Sequence, residues 1–224
     1  LDKGCTCYTV NNYYDDNNEL SIPADPALTP IQNAQKYYKE YRKAATAEQK
    51  LASLILEGEL ELEYLKSVYD SLSRAGTEQE ISEIRAELTA GGYIRRKSKQ
   101  KPGEKIKDSK PIAYLTSDGC TVLVGRNNIG NDRLSFHTAD KNDMWFHVKK
   151  SPGSHTVLVL DGKEPTDTAV LEAAAIAAKH SSLCADELVS VDYTYVKNLK
   201  KPPASRPGYV IYNTYWSVNV RPMA

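Results

Sequence analysis

The sequence predicts an α+β fold: a long coiled-coil helical arm followed by a compact α+β domain with a mainly antiparallel sheet. Three observations carry this. From Tyr37 to Leu72 apolar residues recur with alternating gaps of four and three, the a/d pattern of a coiled coil. After Pro111 the pattern changes to short runs rich in Val, Ile, Tyr and Thr. Between the first two of those runs stands Asp118-Gly119, a hairpin turn signal that calls for antiparallel neighbours.

Taken in order, Cys7-Tyr8-Thr9-Val10 reads as a strand. A polar turn rich in Asn and Asp follows, and then a short extended Leu20-Ser21-Ile22, so the chain opens on a hairpin-like tip. Thr29-Pro30 is a helix cap followed by proline at the first helical position. The seam then runs through Tyr37, Tyr41, Ala44, Glu48, Leu51, Ile55, Gly58, Leu62, Leu65, Tyr69 and Leu72. A helix this long cannot bury its seam alone and calls for a coiled-coil partner helix, either upstream in the same protein or in a second chain. Thr77 to Leu88 carries Ile81, Ile84 and Leu88 on one face and is too short to cover the seam. Strands are expected over 112–116, 121–124, 144–148, 155–160, 192–196, 209–212 and 215–220. An Ala-rich helix is expected over 166–180, capped by Thr166 or Asp167. The domain boundaries on this reading are 1–91 for the arm and its short second helix, 92–110 for a linker and 111–224 for the compact domain.

Among the 224 residues are 29 Lys and Arg and 29 Asp and Glu; 41% are hydrophobic and mean hydropathy is −0.53. No run approaches the ~20 apolar residues of a membrane span, and no signal peptide opens the chain. The chain starts at Leu in mid-pattern, which reads as a piece of a longer protein. The zero net charge divides unevenly. Residues 1–91 hold 9 basic and 16 acidic side chains, residues 92–110 hold 8 and 2, and the remainder 12 and 11. An acidic element therefore precedes a basic stretch, read either as a polyanion-facing surface or as a solvated linker. Cys5, Cys7, Cys120 and Cys184 fit neither a zinc spacing nor a disulfide scaffold and read as reduced thiols of a cytosolic protein. No metal or cofactor is expected.

Candidate nucleic-acid-binding residues fall in three places. Directly after a strand come Arg126, Asn127, Asn128, Asn131 and Asp132, within a run whose amides, guanidinium groups and open backbone suit phosphate and base contacts. The same run also reads as a turn held by Asn side chains. Next come Trp145, His147 and His155. Trp145 and Phe146 must point to opposite faces of a strand, one to the core and one to the surface, where a Trp could stack on a base. Asp143, His147 and Ser154 invite a hydrolase reading, but Ser154 lies in no nucleophile elbow. No catalytic residue is assigned and the chain is read as non-enzymatic. Last, Lys197, Lys200, Lys201 and Arg206 stand in a proline-stiffened basic loop.

The runs D-G-C-T-V-L-V-G-R-N-N-I-G-N-D-R-L (Asp118 to Leu134), D-M-W-F-H (Asp143 to His147), P-G-S-H (Pro152 to His155) and P-G-Y-V (Pro207 to Val210) closely resemble the NFACT family. Pro111 to Ala224 is similar to its RNA-binding NFACT-R domain. D-P-A-L-T-P-I-Q-N-A-Q-K-Y-Y-K-E-Y (Asp25 to Tyr41) resembles the returning helix of the family's coiled-coil arm, and Asn12-Tyr13-Tyr14-Asp15 the tip before it. The family's further N-terminal domain and helix-hairpin-helix segment have no counterpart in this stretch. The resemblance implies a cytoplasmic ribosome quality control factor that binds the large (50S) ribosomal subunit, contacting rRNA and protein. It also implies tRNA recruitment for C-terminal alanine tailing of stalled nascent chains, with the bond-forming chemistry left to the ribosome. An older name within the family suggests the alternative of a surface fibronectin-binding adhesin. The family's basic loop carries Lys-Gly near the position of Pro203-Ala204, where this chain departs from the pattern and Arg206 keeps the positive charge.

Overall fold

The computed structural model describes residues 4–95 and 109–223, so most of the expected basic linker lies outside the described residues. The chain divides into two compact units, Leu1–Leu60 and Glu61–Ala224. Residues 91 and 92 fall inside the second unit. The end of the long helix and the whole second helix belong to the same unit as the sheet.

In the first unit, β1 (Cys7–Asn12) and β2 (Asn18–Pro23) form the antiparallel hairpin the sequence predicts, in register from Cys7 opposite Pro23 to Asn12 opposite Asn18. Asp16 and Asn17 take positive φ at its turn, a conformation their short polar side chains tolerate. Helix α1 (Pro30–Arg74) begins with a reciprocal cap: Gln32 N donates to Thr29 Oγ1 and Thr29 N donates to Gln32 Oε1. Buried Asn33 exchanges bonds with Asp25, accepting from its N–H and donating to its carbonyl, which fixes the chain's entry into the helix.

The a/d seam lies open. Leu51 and Ile55 are 57% and 59% exposed, and Tyr41 is exposed as well. In the second unit the same holds for Leu62, Leu65, Tyr69 and Leu72. The face of α1 that is buried there carries Tyr64 and Val68, which pack on Ile84 of α2 (Glu78–Ala90) with Leu88 and Tyr93 beside them. The reason is the buried face of α2. It holds one apolar row, Ile84 with Leu88, next to three glutamates, Glu80, Glu83 and Glu87, so it covers a single stripe of α1. Thr77 starts α2 with a capping box, its Oγ1 accepting from Glu80 N and Glu80 returning the bond to Thr77 N.

Among the described residues the sheet has six strands in the order β3-β4-β6-β5-β7-β8, all neighbours antiparallel, as the hairpin signal predicts. The strands are β3 (Ile112–Leu115), β4 (Thr121–Val124), β5 (Met144–Val148), β6 (Thr156–Val159), β7 (Val189–Tyr195) and β8 (Trp216–Val220). The run 209–212, expected as a strand, makes only a single bridge, Ile211 to Lys200. Helix α4 (Asp167–Lys179), capped by Thr166 through Ala169 N, covers one face. Its small Ala side chains approach Phe146, Leu158, Val189 and Val191 closely.

The opposite face is covered too. Helix α3 (Asn128–Arg133), where the sequence suggests a polar turn, continues into a π-turn over Leu134–Thr138. Leu134 packs there with Trp145, Val157, Val196 and Leu199. Trp145 and Phe146 do point to opposite faces, but both faces are buried, leaving Trp145 1% exposed. The expectation of a surface Trp at this position is thereby corrected. Alternation tells which residues share a face and not whether that face is covered.

Candidate nucleic-acid interface and the buried polar joint

Gly125 turns the chain from β4 into α3. A Cβ there would lie 2.1 Å from Asn131 Oδ1 and 3.0 Å from Asn131 Cα, so the close approach requires glycine. Asn131 Oδ1 accepts from His155 N at 3.1 Å and ties α3 to β6. Asn127 caps α3, its Oδ1 accepting from Gly130 N at 2.7 Å, while its Nδ2 donates to Glu83 Oε2 at 2.7 Å. Asn128 Nδ2 donates to Glu87 Oε1 and to Ser67 Oγ, both at 3.0 Å. Arg126 forms an ion pair with Glu80 and donates through Nε to the carbonyl of Lys110 at 2.9 Å.

Three consecutive residues, Arg126, Asn127 and Asn128, thus meet Glu80, Glu83 and Glu87, which stand on one face of α2. The contacts form a buried polar joint between the helical pair and the sheet. Glu83 also accepts from Ser109 N at 2.6 Å and Ser109 Oγ at 2.7 Å. Arg74 of α1 pairs with Asp70 at 2.6 Å and donates to Ser154 Oγ at 3.0 Å. Arg206, from the basic loop, lies over the rings of Tyr64 and Tyr93 at 5.3 and 5.4 Å, and its Nη2 donates to Tyr93 Oη.

The charges respond to this setting. Burial pushes the Glu87 carboxyl up, against the opposing bonds from Asn128 and Tyr64. Burial also pushes Glu80 upward, but the Gly76 N–H, Arg126 and Thr77 outweigh it and hold the group below its usual value. His155 is driven down to about 3, by desolvation first and by His147 second, and it shares a 2.7 Å bond with Ser135 through Nδ1. His147 is lowered by burial, lies stacked on Trp145 at 5.7 Å and donates from Nδ1 to the Val148 carbonyl. Both imidazoles are neutral at pH 7 and built into the domain.

Of the residues predicted from sequence, Asn127, Asn128 and Asn131 are buried and bonded to protein groups, and Arg126 is half-buried in its ion pair. Trp145 and His155 are buried and His147 is half-buried. Asp132 pairs with Lys201 at 2.6 Å, and Lys201 also lies near the Phe136 ring. Lys197, Lys200, Lys201 and Arg206 are exposed. The loop carrying them is pinned by the paired backbones of Lys200 and Ile211, and Ala204 holds φ +58°. The hydrolase trio makes other bonds: Ser154 accepts from Arg74, and Asp143 accepts from Asp140 N and Leu160 N. Among the described residues no group of three or more His, Cys, Asp or Glu is placed to hold a metal ion.

Sequence reasoning missed the glutamates of α2, although their spacing at 80, 83 and 87 places them on one helical face beside an apolar row. It also missed the exposed Trp216 and its neighbours Tyr193 and Tyr195.

Fold and joint together define a modular class: a six-stranded antiparallel α+β domain clamped to a helical pair by a buried polar joint. The NFACT protein RNA binding domain matches residues 110–212, and the NFACT N-terminal and middle domains match residues 1–107. The chain belongs to the NFACT family. It is 42% identical over 214 residues to the Rqc2 homolog RqcH of Streptococcus suis (strain 05ZYH33), covering 95% of this chain and 38% of that protein. To the Rqc2 homolog RqcH of Bacillus subtilis (strain 168) it is 39% identical, across 100% of this chain and 39% of that protein. The chain therefore spans well under half the length of these relatives. The solved C-terminal part of the fibronectin/fibrinogen-binding protein from Streptococcus suis superimposes with a TM-score of 0.79 at 41% identity, covering 88% of this chain and 77% of that one. No helix among the described residues is long and apolar enough to cross a membrane.

Proposed function

We propose that this chain is the RNA- and ribosome-binding part of a cytoplasmic ribosome quality control factor, and that it contributes binding and no catalysis. The whole protein would bind the large ribosomal subunit with peptidyl-tRNA and recruit tRNA for alanine tailing of the stalled chain. The observation that carries the reading is the exposed loop bearing Lys197, Lys200, Lys201 and Arg206 on a domain that matches an RNA-binding family. Contacts from this loop to RNA phosphates make affinity fall steeply with salt. The open seam of α1 supports a coiled-coil partner helix, supplied by the same protein or by a second chain.

The test is the affinity of the chain for 50S particles carrying peptidyl-tRNA at several salt concentrations. Lys200→Glu with Lys201→Glu is expected to weaken binding and to flatten its salt dependence. Binding that ignores both salt and these substitutions would refute the reading. The fibronectin-binding reading rests on the name of the solved relative. Fractionation of cells would favour it if the full-length protein sits at the surface and not with 50S particles.

A further inference from the structure

Where β7 meets β8, a row of aromatic side chains runs outward on the face that α4 covers elsewhere. Buried Phe146 stacks on Tyr193, with ring centroids 5.5 Å apart and planes at 19°. Tyr193 stacks in turn on Trp216 at 5.6 Å and 30°, and Tyr195 meets Trp216 edge-on at 6.2 Å and 82°. Exposure rises along the row, from buried Phe146 through half-buried Tyr193 and Tyr195 to Trp216 at 47%. Among the described residues β8 is the last strand of the sheet, so no further described strand shields Trp216 from the side.

A cation stands at the open end. Lys197 Nζ lies 4.7 Å from the Tyr195 centroid, and the Lys197 backbone is held by its N–H donating to the Lys141 carbonyl at 3.0 Å. The acidic Glu187, paired with Arg221, belongs to the other end of β8, where Val189 faces Val220. A rigid exposed indole backed by a second ring, with an ammonium group over the neighbouring Tyr195, presents a π-face and a counter-charge at once. That is the chemistry of an unpaired nucleobase and its phosphate. Because its neighbours already hold the Trp216 ring, stacking costs little side-chain entropy.

We propose that Tyr193, Trp216, Tyr195 and Lys197 form a stacking site for one or two unpaired bases of single-stranded RNA. The site lies apart from the run 126–133, whose side chains serve the joint. The proposal rests on the RNA-binding reading above and adds where, and in what form, the RNA is held.

The sequence supplies the probe. It has two tryptophans, and Trp145 is 1% exposed, so emission changes on adding RNA report Trp216. The 224-residue chain is titrated with single-stranded oligoadenylate and with an RNA duplex of equal length, following Trp emission and the anisotropy of end-labelled RNA. The single strand is expected to quench emission in step with the anisotropy, and the duplex to bind more weakly. Trp216→Ala is expected to weaken single-strand binding about tenfold with an unchanged circular dichroism spectrum. Trp216→Phe keeps most of the affinity and loses the quenching, and Lys197→Gln lowers the salt slope by about 0.7. Unquenched binding that Trp216→Ala leaves at wild-type strength overturns the proposal while the RNA-binding reading stands. Failure of the wild-type chain to bind any RNA, 50S particles included, overturns both. RNA-insensitive self-association that Trp216→Ala abolishes would assign the face to a second copy and also overturn it.

Discussion

Asn127 separates a joint from an RNA-contacting loop. It is 2% exposed, caps α3 through Oδ1 and donates to Glu83 through Nδ2. Replacement by Ala removes an N-cap worth about 1 kcal/mol. It also takes a charge-assisted bond worth about 1.5–3 kcal/mol from a buried carboxylate. The expected loss for Asn127→Ala is therefore about 2–4 kcal/mol, at the lower end if Ser109 and Gln79 continue to satisfy Glu83. Asn127→Ser keeps the cap and should lose only the contribution of the Glu83 bond. Urea unfolding followed by Trp emission is the assay, because Trp145 and Trp216 both lie in the second unit and report it selectively. A double-mutant cycle with Glu83→Ala should show a coupling of about 1–3 kcal/mol. Additive losses, or an Asn127→Ala variant of wild-type stability with reduced RNA affinity, would refute the joint and return the loop to the RNA.

Gly125→Ala places a methyl group against Asn131, which must leave its bond to His155 N. A loss of about 3 kcal/mol in the same urea assay is expected, and a neutral result would mean that α3 shifts freely. Glu87 supplies a pH prediction. Burial raises its folded carboxyl above the unfolded value, so its contribution to stability is present below the unfolded value and lost as pH rises through the folded one. Glu87→Gln keeps an acceptor for Tyr64 and Asn128 without the charge. It should therefore gain on the wild type as pH rises from 4 to 8, and a stability difference flat in pH would count against the buried charge.

Much of the backbone was legible beforehand because its signals are local. The Thr29-Pro30 start, the turn of the first hairpin, the Asp118-Gly119 turn and the Thr166 cap each declare themselves within a few residues, and the structure places elements accordingly. The run 125–133 was legible as chemistry and not as structure. Three Asn residues near glycines read equally as a turn or as a ligand loop. Their becoming a capped helix bonded to glutamates more than forty positions away depended on contacts that no local pattern encodes. Tyr64 and Val68 were overlooked in favour of the a/d seam for the same reason: several stripes of α1 carry apolar residues, and only the placement of α2 selects one.

By itself, then, the sequence determined the α+β class, the order of most elements, the antiparallel pairing and the family, because periodicity, turns and caps act between near neighbours. The tertiary structure alone decided which polar residues turn inward. Asn127 and Asn128 are buried and Arg126 half-buried because α2 brings carboxylates to meet them, and burial of such groups is tolerated only where partners are present. It likewise decided that Trp145 is core while Trp216 faces solvent. Exposure depends on whether another element covers a sheet face, which is a property of the assembled layers and not of any one strand.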